Sequence, residues 1–239
     1  MKYLFWDIDS TLLLTGGAGA FAMLKVIKEH YFLDDFQFKR SLAGRTDSEI
    51  IKEAVLEVKG RFNTADAANL LIMYHKELAN FLPRYQGQVM YNVEKTLQYF
   101  NQPGSGFTNC LLTGNTKTGA RLKLEHYNLA QYFDWERSVF GELSENRSEL
   151  ARIAFNRFYI QNPQIKPGDF IFIGDTPNDV LCASAIGARC LVVLVGSHYE
   201  RKNFEQVKPW RITDHLPDDP AELAAILSEP DETAATVKG

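Results

Sequence analysis

Cysteine is scarce in this sequence. Cys110, Cys182 and Cys190 are the only three, and they lie in or beside apolar segments, not at paired loop positions. Three thiols cannot all pair within one chain, so a disulfide scaffold is excluded and a reducing, cytoplasmic setting is expected. Long hydrophobic runs are also missing. The start of the chain reaches Asp7 after one lysine and four apolar residues, too few for a secretory leader, and Cys190 to Val195 is far short of a membrane span. No basic run interleaved with aromatics occurs, and the net charge is −4. Nucleic acid and anionic membrane are therefore not expected partners, and an anionic substrate has to be drawn by local groups: a metal, single basic side chains or helix N-termini. The five histidines, at 30, 75, 126, 198 and 215, show no zinc-ligand spacing.

What the sequence does have is apolar runs that break off into small polar and acidic residues. The stretch Tyr3 to Trp6 reads as a buried parallel strand that delivers Asp7 and Asp9 to its C-terminal end. Two carboxylates two apart on extended chain project to one side and repel, and a divalent cation relieves that repulsion. The backbone N–H groups of Ser10 and Thr11 are placed to turn toward an anion. A second apolar run, Phe107 to Leu112, ends in Thr113-Gly114-Asn115-Thr116, with Thr116 capping a helix to His126. A short third strand is expected at Ser138 to Gly141. A fourth, Phe170 to Ile173, ends in Gly174-Asp175-Thr176-Pro177-Asn178-Asp179, and a fifth runs from Cys190 to Val195, with an edge strand near Trp210 to Ile212.

Helices separate these strands, and the alternation predicts a doubly wound parallel α/β sheet whose strand ends share one rim. Residues 15–85 carry no strand pattern. They read as helices from about Ala18 to Tyr31, from Thr46 (with Glu49 as a capping box) to Val58, and from Thr64 to Pro83. That shift of character predicts an inserted all-helical cap between two parts of an α/β core, 1–14 and 86–228, with 229–239 as a flexible tail. Gly16, Gly17 and Gly19 offer a hinge and do not make a dinucleotide-binding fingerprint. Arg45, on the loop before a helix N-terminus, is either placed to reach down to the substrate or a solvated loop arginine. Three or four of the carboxylates Asp7, Asp9, Asp175 and Asp179 are then expected to face one another across one crevice, which asks for a hard, oxygen-liganded cation, Mg²⁺ first.

As a set, Asp7-Ile8-Asp9-Ser10-Thr11, Thr113-Gly114-Asn115 and Gly174-Asp175-Thr176-Pro177-Asn178-Asp179 resemble the haloacid dehalogenase superfamily. The likeness extends over about 1–227, and is greatest to its phosphoglycolate-phosphatase-like and β-phosphoglucomutase-like members with helical caps. The resemblance implies a Rossmann-like core and a Mg²⁺-dependent phosphatase acting on a small phosphorylated metabolite, as monomer or homodimer, with a β-phosphoglucomutase-like phosphotransferase as the alternative. It implies Asp7 as nucleophile and metal ligand, and Asp9 as acid and base with its backbone carbonyl on the metal. Thr113 is implied on a phosphoryl oxygen, with Ser10, Thr11, Gly114 and Asn115 at the substrate. Asp175 is implied as a further ligand and Asp179 as a ligand or a partner of the metal's waters. The lysine usual between the second and third motifs is missing. Arg147 stands at the interval, with Arg152 and Arg137 as other occupants. Asp9 distinguishes this pattern from a dehalogenase, whose halide leaving group needs no acid.

Overall fold

The apolar runs become strands because little else satisfies both their side chains and their backbone. Every residue of β5 and β6 is buried, as are the last three of β1 and β4. In a computed structural model that describes residues 1–230, the elements follow in the order β1 (Lys2–Trp6), β2 (Leu13–Leu14), α1 (Ala18–Tyr31), α2 (Asp47–Lys59), α3 (Thr64–Phe81), β3 (Gln88–Val89), α4 (Val93–Phe100), β4 (Phe107–Leu111) and α5 (Lys117–His126). They continue with α6 (Arg147–Gln161), β5 (Phe170–Gly174), α7 (Pro177–Ser184), β6 (Arg189–Val193), β7 (Arg211–Thr213) and α8 (Pro220–Ser228).

The main sheet is parallel throughout, in the order β4-β1-β5-β6-β7. The chain leaves β1 for β4 on one side and returns to β5 on the other, so the topological switch falls at β1. Trp6 is level with Leu111 and with Ile173, and the residues that follow all three leave the sheet along one rim. Alternation along β1 feeds two cores: Leu4 and Trp6 pack under α4, α5 and α8, and Phe5 packs under α6 and α7, stacked on Phe170 and Phe172. Cys110, Cys182 and Cys190 are free and buried in the second core.

Helices α1, α2 and α3 bury a third cluster of their own, with Val26, Ile27, Ile51, Val55, Leu70 and Leu78 at its centre. They are joined to the sheet domain through a two-stranded antiparallel ribbon, β2 with β3, too short to leave a periodicity in the sequence. Gly87 is required beside it: a Cβ there would lie 1.9 Å from the Tyr127 hydroxyl and 2.2 Å from the Leu14 carbonyl oxygen.

Three expectations are corrected. Ser138 to Gly141 is not a strand. Val139 makes a single bridge to Leu112, and the apolar residues around it are buried for packing, Phe140 stacking on Trp135. The capping box at Thr46 is only half made: its hydroxyl accepts the Glu49 N–H at 3.1 Å, but the Glu49 carboxylate turns to Arg45. Trp210 precedes β7 and is not in it. The expected flexible tail lies outside the described residues from 231 onward, and at its start Glu229 accepts from Arg189 and pairs with Arg211. No helix among the described residues is long and apolar enough to cross a membrane.

Candidate active site

Strand ends bring the carboxylates together. Asp7 follows β1, and Asp175 and Asp179 flank the turn from β5 into α7, where Pro177 opens the helix and Thr176 and Asp179 form a full capping box. One oxygen from each of Asp7, Asp175 and Asp179 falls in a group whose members all lie within 4.8 Å, and all three residues are buried. Gly174 permits this. A Cβ there would stand 2.2 Å from the Asp179 carboxyl carbon.

Arg147, the first residue of α6, closes the group. Its Nη2 is 2.6 Å from Asp179 Oδ1 and 3.3 Å from Asp7 Oδ1, and the side chain is buried. Arg152 pairs with Glu149 and Arg137 with Asp134, both arginines exposed, so of the three arginines only Arg147 is paired with this carboxylate group. Its buried Nε finds no hydrogen-bond partner among the described residues. One guanidinium does not balance three carboxylates. Burial, opposed by Arg147 and reinforced by Asp179 and Asp9, pushes Asp7 up to about 6. Burial, with Asp179 and Asp7 as neighbours, pushes Asp175 up to about 8. Burial works against the charge of Arg147, and Asp179 and Asp7 more than offset it. Crowded hard oxygens that resist ionisation in the absence of a cation fit Mg²⁺.

A cavity of about 480 Å³ opens above the carboxylates, between the sheet domain and the helical unit. Asp7, Asp9, Ser10, Thr113, Gly114, Asn115, Arg147 and Asp175 line it at the sheet end beside Leu13 and Leu14, and Met23, Leu42 and Ile50 add apolar lining from the helical unit and the loop before α2. Thr11 and Asp179 are not among its lining residues. The Thr11 hydroxyl instead donates to Asp175 Oδ1 at 3.2 Å. The Ser10 and Thr11 N–H groups are not turned to an anion: Ser10 donates to the Leu13 carbonyl and Thr11 to that of Ile8, because Ser10 closes a tight turn with φ 67°. Arg45 borders the cavity, but its guanidinium is ion-paired with Glu49 at 2.9 Å and with Glu53. It is not brought to Asp7.

The loop carrying Arg45 is docked on the second motif. Asp47 N–H donates to the Gly114 carbonyl at 2.8 Å, and Thr116 N–H donates back to Asp47 Oδ2 at 2.9 Å. Gly114 is needed for that approach, since a Cβ would stand 2.1 Å from the Arg45 carbonyl oxygen. Burial pushes Asp47 up to about 6, against the pull of Lys123.

Lys123 is the residue that sequence reasoning missed. Its Nζ reaches Asp9 Oδ1 at 2.8 Å, Asp9 Oδ2 at 2.6 Å and Asn115 Oδ1 at 2.6 Å. Asn115 in turn donates to Asp9 Oδ2 at 2.8 Å and to Thr113 Oγ1 at 2.9 Å. The signal was there: with Gly119, Ala120 and Leu124, Lys123 falls on the inward face of α5, where a lysine is out of place.

The sequence matches the haloacid dehalogenase-like hydrolase family over residues 4–184. It is 29% identical over 149 residues to phosphoglycolate phosphatase 1 of Pseudomonas aeruginosa, a match covering 61% of this chain and only 52% of that protein, so the chain aligns with about half the length of this relative. Its fold resembles that of CbbY from Rhodobacter sphaeroides in complex with phosphate, with a TM-score of 0.69 at 14% identity over 90% of this chain and 94% of the other. It also resembles a predicted phosphoglycolate phosphatase from Haemophilus somnus 129pt, with a TM-score of 0.65 at 17% identity over 95% and 97%. With the motif residues lying inside the matched span and gathered at one rim of a parallel sheet, the chain belongs to the haloacid dehalogenase-like hydrolases.

Proposed function

We propose that this protein is a Mg²⁺-dependent phosphatase that hydrolyses a small phosphomonoester through a phosphoaspartate on Asp7, in the manner of the phosphoglycolate phosphatases. The observation that carries the reading is the buried group Asp7, Asp175 and Asp179, closed by Arg147 and opening on one cavity. Asp7, the Asp9 backbone carbonyl and Asp175 would hold the cation, with Asp179 as a ligand or a partner of its waters. When bound, Mg²⁺ supplies charge neutralisation for the phosphoryl oxygens.

An Asp7 oxygen attacks phosphorus as the bond from phosphorus to the ester oxygen breaks, and Asp9 gives its proton to the departing alkoxide. Asp9, now ionised, takes a proton from water. That water attacks phosphorus, the bond to Asp7 breaks and inorganic phosphate leaves. Arg147, in contact at 3.3 Å, favours the ionised form of Asp7 against burial and holds the carboxylate in place. Thr113, within reach of both Asp7 and Asn115, donates to a phosphoryl oxygen. The helical unit 15–85 covers the cavity and keeps bulk water from competing during the first transfer.

The test is a screen of glycolate, sugar and nucleotide monophosphates and of p-nitrophenyl phosphate with Mg²⁺, scored by released phosphate. Turnover that requires the metal supports the reading. Movement of the phosphoryl group to a second sugar hydroxyl, without phosphate release, would replace it with the mutase. No turnover of any monoester would sink both.

A further inference from the structure

Lys123 takes no part in the steps above, yet it is the only lysine among the described residues that is buried. An ammonium has three donors, and here each has an acceptor at 2.6 to 2.8 Å. Two of those acceptors are the two oxygens of Asp9. This matters because the Asp9 side chain is open: it is 46% exposed and held besides Lys123 by the Asn115 amide, where Asp7 is 7% exposed and packed against Arg147. The third acceptor, Asn115 Oδ1, settles which way the Asn115 amide points, and so directs its nitrogen at Asp9 Oδ2 and Thr113 Oγ1.

We propose that Lys123 is the positioning residue of the acid and base: from the inward face of α5 it fixes the Asp9 carboxylate in the wall of the cavity, by its own two bonds and by orienting the Asn115 amide toward Asp9. The proposal rests on the reading of Asp9 as the group that protonates the leaving oxygen. A merely structural part for Lys123 is the competing explanation, since Asp47 also lies beside it and gains from its charge. The two differ in what they do to different leaving groups. A misplaced Asp9 fails an alkoxide, which cannot leave without a proton, and leaves p-nitrophenolate almost untouched. A loosened fold slows both.

The experiment measures kcat/KM, which reports steps up to the first transfer, for the alkyl phosphomonoester that the screen ranks first and for p-nitrophenyl phosphate. It compares wild type, Lys123→Met, Lys123→Arg and Asp9→Asn. Lys123→Met is expected to lose about 100-fold on the alkyl ester, the low end of what a general acid contributes, and less than about 3-fold on p-nitrophenyl phosphate. Lys123→Arg keeps the charge that Asp9 and Asp47 need, so it folds even if the methionine variant does not. Its longer fork cannot repeat the three bonds, and it is expected to lose about 10-fold on the alkyl ester alone. Equal losses on the two esters in the folded variants, or no loss, overturn the proposal while Asp9→Asn stays selective for the alkyl ester. If Asp9→Asn itself shows no such selectivity, the assignment of Asp9 falls and takes this proposal with it.

Discussion

Replacing the proposed nucleophile should make the protein more stable as it destroys the reaction. In Asp7→Asn the amide keeps the shape of the carboxylate and can still accept from Thr113, and Arg147 keeps its 2.6 Å contact to Asp179. What disappears is a charge that the metal-free site holds badly. Asp7 is pushed up to about 6 from an ordinary value of 3.8, chiefly by burial. At pH 8 that difference corresponds to about 3 kcal/mol of penalty, at 1.36 kcal/mol per pKa unit. The penalty is absent below the unfolded value and builds as pH rises from about 4 through about 6, so the stability gain of Asp7→Asn should be roughly half as large at pH 5 and close to zero near pH 3.5. For a chain of this size about 3 kcal/mol is roughly 6–12 °C in Tm. The assay is thermal or urea unfolding of both proteins in a chelator, at pH 3.5, 5 and 8, beside phosphate release with Mg²⁺. A variant no more stable than wild type at pH 8, or equally stabilised at pH 3.5, would refute the electrostatic account. Retained turnover would refute Asp7 as nucleophile.

The remaining predictions concern the groups around it. Arg147→Met leaves three buried carboxylates without their guanidinium and should cost about 3–5 kcal/mol in metal-free protein at pH 8, with less loss at pH 5, where Asp7 and Asp175 carry more of their protons; equal chemical stability of variant and wild type at pH 8 would count against the contact. Mg²⁺ should raise Tm more at pH 8 than at pH 5.5. Asp175, pushed up to about 8, and Asp7, up to about 6, have folded values above their unfolded ones, so metal-free stability declines as pH rises from about 4 to about 8, and a cation restores it where they are ionised. Melting curves indifferent to Mg²⁺ at both pH values would remove the metal site. Arg45→Ala should lower stability by about 0.5–1 kcal/mol, because Glu49 and Glu53 lose the nearer of their two arginine partners and keep only the exposed Arg40, while kcat/KM stays within about 2-fold; a tenfold fall in kcat/KM would show that the side chain leaves those glutamates for the substrate.

The parts of this molecule that were legible in its sequence share a physical cause. β1, β4, β5 and β6 are buried on both faces, so they read as continuous apolar runs, and their polar ends mark the rim where Asp7, Thr113 and Asp175 leave the sheet. Ser138 to Gly141 misled for the same reason. Val139 and Phe140 are buried by packing against Leu112 and Trp135, and burial alone does not distinguish a ladder from a loop crossing the core. The β2–β3 ribbon was hidden because two residues carry no period. The loop and helix N-terminus around Arg45 say nothing of its direction, which is decided by Glu49 one turn on and Glu53 two turns on. Lys123 was passed over because a lysine is expected to be solvated, and only the helical phase of its apolar neighbours argues otherwise.

Those two cations also bear on how an acidic chain draws an anion. The cavity is bordered by His198 and by three arginine and lysine side chains, Arg45, Lys123 and Arg147, and each of those three already has carboxylate partners: two glutamates for Arg45, Asp9 for Lys123, and Asp7 with Asp179 for Arg147. No free cation among them faces the incoming phosphate. With Asp7, Asp175 and Asp179 ionised, the reaction end carries a net negative charge of two against its one guanidinium, a field that repels a phosphomonoester dianion. Protonating Asp175 alone, the first to take a proton, leaves Asp7 and Asp179 against one guanidinium, and protonating Asp7 removes the nucleophile. A divalent cation removes the repulsion and leaves Asp7 ionised, with the unpartnered Nε of Arg147 still to be satisfied in the buried wall beside it. On this account substrate affinity should follow occupancy of the metal site, and mutation of the distal basic residues should matter through Asp9 and the docking of the cap loop, not through direct attraction of the phosphate.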